Sequence, residues 1–477
     1  MAEIFYHAVP ADWTREEKLR YLAKTGTLGD VAWTDIVPNK KHQWLTGDLA
    51  PEFDGFLPIG SKEAKQSASS PAVFRTYCRG VCSNSDAYVY SFDFESLTKR
   101  AEAMVDNYNS ELERWRKKGQ PKNVEAFVKV DAHALKWVRR TKKELARGSE
   151  IAFHESRLRT ALYRPFTQLA YYFEPGFNED VYQWPHFLPD QKAEKENRVI
   201  VLSDAGLRSP FSVLMTNHIT DLHLCATTDA FQCFPFYTYD GADGARRENI
   251  PLSTLVSFQQ HYGDEAITKW DIFHYAYAVL HHPEYRTRYA ANLRRELPRL
   301  PLVGAFWDGI DGIKKIDGKK KKSARFEDNP VNPVNPVQNS SVFQAFAEIG
   351  KRLADLHVHY EQAAEHPLQR IEAAGEPLNW RVEKMRLTKD KTALVYNDFL
   401  TLAGIPEAAY TYRLGNRSAL EWVIDQYQTH TDPRSGITND PNREDEPDYI
   451  VKLIGKVITV SLETQKLIAA LPKLTLP

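Results

Sequence analysis

The 477-residue chain is longer than one hydrophobic core usually organises, which predicts two or three domains. Its 42% hydrophobic and 26% charged residues exclude a mainly disordered protein. The formal net charge of −1 excludes a protein that attracts nucleic acid through a global positive field, so any DNA-binding face has to be local. No apolar stretch has the length of a signal peptide or a membrane span, which predicts a cytoplasmic protein without membrane contact.

Residues 1–29 are predicted to be an N-terminal segment that carries one short helix. Leu19 and Leu22 recur at helical spacing within residues 13–24, behind Thr14 as the N-cap. Glu17, three residues after Thr14, completes a capping-box pattern. The helix is therefore expected to begin near Thr14.

Residues 30–245 are predicted to form a mixed sheet interrupted by one long helical insertion. Ala87–Phe92 and the fully apolar Val199–Leu202 indicate strands. Residues 95–147 are amphipathic with a basic end, which is typical of helices with a solvated face. Pro165 stops any helix in the residues before it, and a strand is predicted to follow.

Residues 246–477 are predicted to form a mainly helical domain, so the fold class is mixed α/β (α+β). Helical periodicity covers residues 268–297 and 342–364, and an amphipathic helix is predicted from Tyr449 to Leu471. A strand is predicted at Thr392–Tyr396 and a helix near Ser418–Gln428, with Asn416 or Ser418 as its N-cap.

Residues 314–341 interrupt this helical half with four consecutive lysines and a threefold Asn-Pro-Val repeat. Each proline lacks an amide donor and restricts the residue before it, so the segment cannot supply buried, hydrogen-bonded backbone. It is predicted to be a disordered insertion.

No known catalytic motif is found in the sequence. The Gly-rich cofactor loop and the Asn/Asp-Pro-Pro-aromatic motif of adenine methyltransferases are missing, and Asn439–Asn442 is interpreted as a turn. A phosphate-binding loop for ATP and a nucleophile elbow are missing as well. The four cysteines lack metal-site spacing, and His357 and His359 point to different sides of a helix, so neither a catalytic residue nor a metal site is predicted.

Basic and aromatic clusters are the remaining signal, and they favour recognition of DNA. Arginine can bridge two acceptors on guanine, while lysine and tyrosine fix the phosphate backbone. The arginines between residues 157 and 164 have an alternative role as ion-pair partners inside a domain interface. The candidate DNA contacts are Lys40, Lys41, Arg75, Arg79, Arg157, Arg159 and Arg164.

Several short sequence segments resemble, in the same order along the chain, the C-terminal target-recognition region of type ISP restriction-modification enzymes. They include Trp33–Pro38, Tyr163–Phe166, Gln232–Pro235, Leu280–Tyr285, Leu353–Tyr360, Tyr396–Asp398 and Ser435–Asn442. The resemblance implies a module that binds double-stranded DNA at a specific sequence and directs a methyltransferase and nuclease to it. Residues 30–245 would then be the target-recognition domain, and residues 1–29 would follow a methyltransferase domain.

The same resemblance implies a partner polypeptide with methyltransferase and translocase-nuclease domains. S-adenosylmethionine and ATP with Mg²⁺ would be cofactors of those domains, and no cofactor is expected in this chain. Three alternatives stay open: a protein-interaction subunit that docks on a methyltransferase, a non-functional remnant of a split enzyme, and a metal-dependent hydrolase that uses the histidine clusters.

Overall fold

The computed structural model describes residues 3–9, 13–38, 42, 44, 49–67, 69–225, 228–239, 244–303 and 336–474, with side chains from 340 in the last range. These residues belong to two compact units, Met1–Pro51 and Glu52–Pro477. The candidate contacts Lys40 and Lys41 and most of the predicted disordered insertion, residues 314–335, lie outside the described residues.

The described residues of the first unit form one α-helix, a short 3-10 helix (Leu28–Asp30) and one pair of short strands. Helix α1 (Arg15–Thr25) begins after Thr14, whose side chain accepts the Glu17 amide while Glu17 reaches back to the Thr14 amide. This capping box confirms the predicted helix start. Strand β1 (Phe5–Tyr6) pairs antiparallel with β2 (Thr34–Asp35).

The second unit contains the remaining helices and strands. Its helices are α2 (Lys62–Gln66), α3 (Asp86–Val89), α4 (Phe94–Lys117), α5 (Val124–Phe127), α6 (Arg139–Arg147), α7 (Trp184–Phe187), α8 (Gln191–Glu196), α9 (Leu252–Tyr262), α10 (Lys269–His281), α11 (Pro283–Arg288), α12 (Ala290–Arg295), α13 (Pro336–Val358), α14 (Ala419–Gln426) and α15 (Tyr449–Ala469). Its strands are β3 (Leu57–Pro58), β4 (Cys78–Arg79), β5 (Tyr90–Ser91), β6 (Leu158–Arg164), β7 (Thr167–Tyr172), β8 (Val199–Ser203), β9 (Val213–Thr216), β10 (Ile219–Thr220), β11 (Phe231–Pro235), β12 (Tyr237–Thr238), β13 (Arg247–Glu248), β14 (Arg299–Leu300), β15 (Gln369–Glu372), β16 (Arg386–Leu387), β17 (Ala393–Val395), β18 (Leu400–Ala403), β19 (Arg413–Leu414), β20 (Arg417–Ser418), β21 (His430–Thr431) and β22 (Thr438–Asn439).

Two four-stranded sheets organise the first half of this unit. One has the order β10-β6-β7-β5 and is mixed, because β10 runs parallel to β6 while the other pairs are antiparallel. The other has the order β4-β11-β8-β9 and is antiparallel throughout. Helices α4 to α6 lie between β5 and β6 in the chain. The predicted mixed α/β fold with a helical insertion is therefore confirmed.

The predicted strand at Ala87–Phe92 is wrong for its first three residues. Asp86–Val89 forms a single helical turn, and only Tyr90–Ser91 pairs with β7. Tyr88, Val89 and Tyr90 are all buried, and a short run of buried residues does not distinguish a strand from a helical turn. The residues before Pro165 form strand β6, which turns into β7 through Phe166 at φ 56°.

Helices dominate the second half, as predicted. The face of α10 formed by Ile272, Tyr275, Val279 and Leu280 is fully buried. Helix α13 packs closely on α10, since a Cβ at Gly350 would lie 2.0 Å from the His274 carbonyl oxygen. A four-stranded antiparallel sheet, β15-β18-β17-β16, accompanies these helices.

Helix α13 begins at Pro336, so residues 336–341 of the predicted disordered insertion are helical. Proline is well tolerated at the first position of a helix, where its missing amide would have no partner. Helices α14 and α15 confirm the predicted C-terminal helices, and Ser418 caps α14 through a capping box with Glu421.

One cluster of buried side chains runs through both halves of the second unit, from Cys78 to Val460. The predicted domain boundary near residue 245 therefore lies inside a unit with a shared core. Among the described helices, none combines the length and the apolar character needed to cross a bilayer.

Candidate nucleic-acid interface

Arg159 lies inside the protein, on strand β6. Its side chain is 2% exposed, and its Nη2 lies 2.5 Å from Glu194 Oε1. The same guanidinium donates to the backbone carbonyls of Leu188 and Pro189. Burial raises the pKa of the Glu194 carboxyl. This arrangement leaves Arg159 no exposed donor for DNA, so we remove it from the candidate contacts.

Arg164, at the end of the same strand, is also paired in the interior. Its Nη1 lies 2.7 Å from Asp221 Oδ1, and its guanidinium stacks 3.9 Å from the centre of the Tyr163 ring. The Tyr163 hydroxyl donates to Asp86 at 2.8 Å, which extends the network. Burial raises the pKa of the Asp221 carboxyl. Arg159 and Arg164 therefore form buried ion pairs, which was the alternative role considered for them from the sequence.

Arg79 is the exposed candidate with a fixed orientation. It lies on the edge strand β4, and its side chain is 51% exposed. Nε and Nη2 both lie 3.0 Å from Asp204 Oδ2, while Trp184 Nε1 donates to the Arg79 carbonyl. A carboxylate that holds one edge of a guanidinium leaves its other donors available to a ligand. Arg79 can therefore present donors outward in a defined position.

Arg75 and Arg157 also reach the surface. Arg75 is exposed, and its backbone amide donates to the Asn249 carbonyl. Arg157 is half-buried, with Nε 3.9 Å from Glu174 Oε2. It lines a cleft of about 300 Å³ together with Arg140 and His154. Both side chains can reach a ligand without rearrangement of the core.

A second cleft, of about 500 Å³, lies along helix α6. It is lined by Arg139, Arg140 and Lys143 on the helix, and by Glu179 and Tyr182 opposite. Arg140 and Pro175 line both clefts, so the two are neighbours. We call the basic band the arginine, lysine and tyrosine side chains that line either cleft, together with Arg79, which interacts electrostatically with Tyr182. Its members are Arg79, Arg139, Arg140, Lys143, Arg157 and Tyr182.

Tyr182 joins Arg79 to the α6 cleft. Its hydroxyl interacts electrostatically with Arg79, and its side chain lines the cleft that Arg139 also lines. The backbone of Tyr182 has φ 46°, which is unusual for an aromatic residue, and its amide donates to Asp180 Oδ1 at 2.8 Å. Burial raises the pKa of the Tyr182 hydroxyl. Strained aromatic residues of this kind often occur at binding sites.

Carboxylates compensate most of the positive charge in the basic band. Arg139 Nε lies 2.7 Å from Glu179 Oε1, and Arg140 Nε lies 2.8 Å from Glu144 Oε1. Lys143 is exposed and has no ion-pair partner among the described residues. The band therefore presents oriented donors with little net charge, an arrangement suited to positioning and reading a ligand more than to attracting it from a distance.

A larger cleft, of about 940 Å³, has the opposite character. Its walls carry more carboxylates than arginines, so it disfavours a phosphate backbone. The predicted turn lies here, where Asn442 Nδ2 donates to the Val382 carbonyl and Asn439 Oδ1 accepts the Phe92 amide. The charged side chains in its walls are Asp93, Glu95, Glu361, Arg381, Asp440, Arg443, Glu444 and Asp445.

Of the clustered histidines, His281, His282 and His357 are part of the core. His357 Nδ1 lies 2.6 Å from the Tyr277 hydroxyl, and its Nε2 lies 2.8 Å from Thr464 Oγ1. Both ring nitrogens are thus engaged, and burial lowers the pKa of His357 to about 3. In the part of the chain that the structure describes, no three His, Cys, Asp or Glu side chains are grouped to hold a metal ion.

Sequence reasoning missed two features of this surface. It assigned no role to Tyr182, because the signal is a backbone conformation that the sequence does not reveal. It noted the basic face of α6 but interpreted it as solvated, although the spacing of Arg139, Arg140 and Lys143 on one helix was visible in the sequence. The cleft that adjoins this face forms only when residues 175–182 pack against it.

Comparisons with known proteins agree on one family. The family described as the Type ISP C-terminal specificity domain matches residues 72–309 and 333–453. The structure of a nuclease-deletion mutant of the Type ISP restriction-modification enzyme LlaGI, in complex with a DNA substrate mimic, is similar with a TM-score of 0.79 and 28% sequence identity. That match covers 100% of this chain and 39% of the LlaGI chain.

Two further solved structures show the same relation. The cryo-EM structure of a DrdV–DNA complex is similar with a TM-score of 0.79 and 31% identity, covering 99% of this chain and 44% of the other. The ATP-dependent Type ISP restriction-modification enzyme LlaBIII bound to DNA has a TM-score of 0.78 and 27% identity, covering 97% of this chain and 28% of the other. The chain spans less than half the length of each, and no curated protein matches it. This chain belongs to the family of Type ISP C-terminal specificity domains.

Proposed function

We propose that this chain binds duplex DNA at a specific sequence, as the specificity module of a restriction-modification enzyme. The observation that carries the proposal is the likeness over 97–100% of the chain to three structures of proteins in complex with DNA or a DNA substrate mimic. The basic band supports it, since arginine and tyrosine side chains line adjoining clefts there.

Within the band, Arg79 is the residue best placed to read a base. Asp204 fixes its guanidinium, and a fixed arginine can donate two hydrogen bonds to guanine O6 and N7. Arg139, Arg140 and Lys143 would contact phosphates beside it, because such contacts set the register of a protein on the duplex. Arg75, which is exposed, and Arg157, which lines the smaller cleft, are further candidate contacts.

A selection from a pool of random duplexes tests this proposal. The wild-type chain, alone or with its methyltransferase polypeptide, is expected to enrich one short motif, and Arg79→Gln is expected to relax one position of it. Arg352→Gln, a change of an exposed arginine on α13 away from the band's clefts, is the matched control. Failure of the wild type to enrich any motif under both conditions would contradict the proposal.

A second candidate function is docking on a partner polypeptide with methyltransferase and translocase-nuclease domains. The first unit supports it, because its helix α1 buries no residue and Leu28 is 77% exposed. The longer chains of the similar structures leave room for such domains, which would hold S-adenosylmethionine and ATP with Mg²⁺. The exposed large apolar side chains of this unit are Phe5, Tyr6, Leu19, Leu22, Leu28, Trp33, Val37 and Trp44.

Co-purification without DNA tests the docking function. The double change Leu22→Glu and Leu28→Glu is expected to abolish capture of the partner, since it places charge in an apolar contact. The matched double change Glu16→Gln and Lys24→Gln, on the same helix, is expected to leave capture intact. Equal capture by both variants would contradict docking through this unit.

A further inference from the structure

A cleft of about 400 Å³ in the second unit is lined by three arginines and by no aspartate or glutamate. Arg286 comes from α11, Arg294 from α12 and Arg413 from β19. The loop between β8 and β9 supplies the apolar side of the cleft through Leu207 and Phe211. The cleft is distinct from the basic band, because the two share no lining residue.

Arg286 is a buried cation without a counter-charge. Its Nε donates to the Leu280 carbonyl at 2.6 Å, but Nη2 is inaccessible to solvent and has no hydrogen-bond partner among the described residues. Burial lowers the pKa of Arg286, as expected for a charge that no carboxylate offsets. The Phe211 ring, 5.7 Å from the guanidinium carbon, supplies only a weak cation–π contact.

Tyr412 adds a second unsatisfied donor to the same cleft. The residue is 2% exposed, and its hydroxyl has no hydrogen-bond partner among the described residues. Tyr412 and Arg286 line the same cleft and interact electrostatically. Leaving a buried polar group unpaired is costly, so two such groups in one cleft indicate a missing acceptor.

The buried arginines of strand β6 have the carboxylate partners that Arg286 lacks. Arg159 and Arg164 each lie within 2.7 Å of a carboxylate oxygen, from Glu194 and Asp221 respectively. Arg286 has no such partner, and Arg294 adds a further exposed guanidinium beside it. Arg413 Nη2 donates to the Asn416 carbonyl, and its Nη1 has only a long ion pair, 3.9 Å from Glu421 Oε2. The wall of the cleft therefore offers donors and positive charge without any acidic side chain.

We propose that this arginine cleft binds the phosphoryl group of a nucleotide, either free or within the DNA backbone. A phosphoryl group has several acceptor oxygens, which can take donors from more than one guanidinium and from the Tyr412 hydroxyl together. A single carboxylate would fill little of the cleft and would accept hydrogen bonds from only one guanidinium group. The apolar side formed by Phe211 and Ile468 suits the part of a nucleotide that carries no charge.

The direct test measures binding of inorganic phosphate and of a deoxynucleoside 5′-monophosphate by calorimetry, against chloride at equal ionic strength. The double variant Arg294→Gln, Arg413→Gln is expected to lose about tenfold or more in affinity, because it removes two charged donors from the cleft. The charge-matched double variant Lys351→Gln, Arg352→Gln, on the exposed face of α13, is expected to bind like the wild type.

Tyr412→Phe gives an independent readout that does not depend on surface charge. Without phosphate, it is expected to leave the melting temperature unchanged or to raise it, since it removes an unpaired buried hydroxyl. With phosphate, the rise in melting temperature seen for the wild type should shrink. A variant that melts far below the wild type without phosphate would show that the hydroxyl already has a partner in the protein, and would overturn the proposal.

A DNA arm identifies the source of the phosphoryl group. If free phosphate and mononucleotide do not bind but the arginine double variant lowers DNA affinity and its salt slope, the site is for backbone phosphates. If mononucleotide binds and DNA affinity is unchanged, the site is for a free nucleotide. Unchanged affinity of the double variant for phosphate, mononucleotide and DNA would overturn the proposal. A wild type that binds mononucleotide but no DNA would contradict only the proposed function.

Discussion

The arginines of strand β6 and those of the basic band differ in the solvent exposure of their guanidinium groups. Arg159 and Arg164 direct their guanidiniums into the core, where Glu194 and Asp221 neutralise them. Arg79 and Arg139 are also paired with carboxylates, but their side chains are mostly exposed. A buried ion pair thus neutralises an arginine and contributes to stability. An exposed ion pair orients the arginine and leaves its other donors available for binding.

Removal of one partner of a buried ion pair should cause the largest loss in the free energy of unfolding. Arg159→Met is expected to cost about 3–5 kcal/mol of unfolding free energy, because it leaves the Glu194 carboxylate buried and unpaired. Urea unfolding measures this cost, and the double variant Arg159→Met, Glu194→Leu should recover most of it. A loss of DNA affinity with unchanged stability would show instead that Arg159 contacts DNA.

The neutral histidines of the core should make stability depend on pH. Burial lowers the pKa of His357 to about 3 and of His218 to about 4, below their value of about 6.5 in an unfolded chain. The unfolded chain therefore binds more protons between about pH 4 and 6.5, and stability is lost as the pH falls through this window.

Each such histidine should contribute a slope of about 1.4 kcal/mol per pH unit within that window. Unfolding free energies at a series of pH values measure the total slope. His357→Asn should be less stable at neutral pH but should depend less steeply on pH. A wild type whose stability stays constant from pH 6.5 to 4.5 would contradict the burial of neutral histidines.

Removal of an oriented, exposed arginine should affect DNA binding at little cost to stability. Arg79→Gln is expected to weaken specific binding by about 1–3 kcal/mol, roughly 5- to 150-fold, because one bidentate base contact is lost. Fluorescence anisotropy with the selected duplex measures the affinity, and Arg352→Gln is the control. Equal weakening for a random duplex would mean that Arg79 contacts only the backbone.

The smallest expected effect comes from the unpaired lysine of the band. Lys143→Gln should lower the slope of log affinity against log salt by about 0.9, the value expected for one phosphate contact. The loss should be the same for specific and random duplexes. An unchanged slope would place Lys143 outside the DNA contact.

Local patterns in the sequence were sufficient for much of the fold. Thr14 with Glu17 marked the start of α1, and Ser418 with Glu421 marked that of α14, because a capping box involves residues only three apart. The strand predicted at Val199–Leu202 from its continuous apolar residues is confirmed by β8, which extends one residue further to Ser203. Such features depend on neighbours in the chain, which the sequence displays directly.

The roles of the arginines could not be read in this way. Arg159 pairs with a residue 35 positions away and Arg164 with one 57 positions away, so their burial depends on tertiary packing. The same holds for the arginine cleft, where Arg286 and Tyr412 come from distant parts of the chain. The sequence suggested some of the side chains that could bind DNA, and only the packing separated the exposed arginines from the buried ones.

The most direct test of this account measures DNA affinity and unfolding free energy for the same two variants. Arg79→Gln should lose affinity for the selected duplex and keep its stability, while Arg159→Met should lose stability and, when folded, keep its affinity. If Arg79→Gln binds the selected duplex as tightly as the wild type, the assignment of the basic band as the DNA-reading surface is wrong.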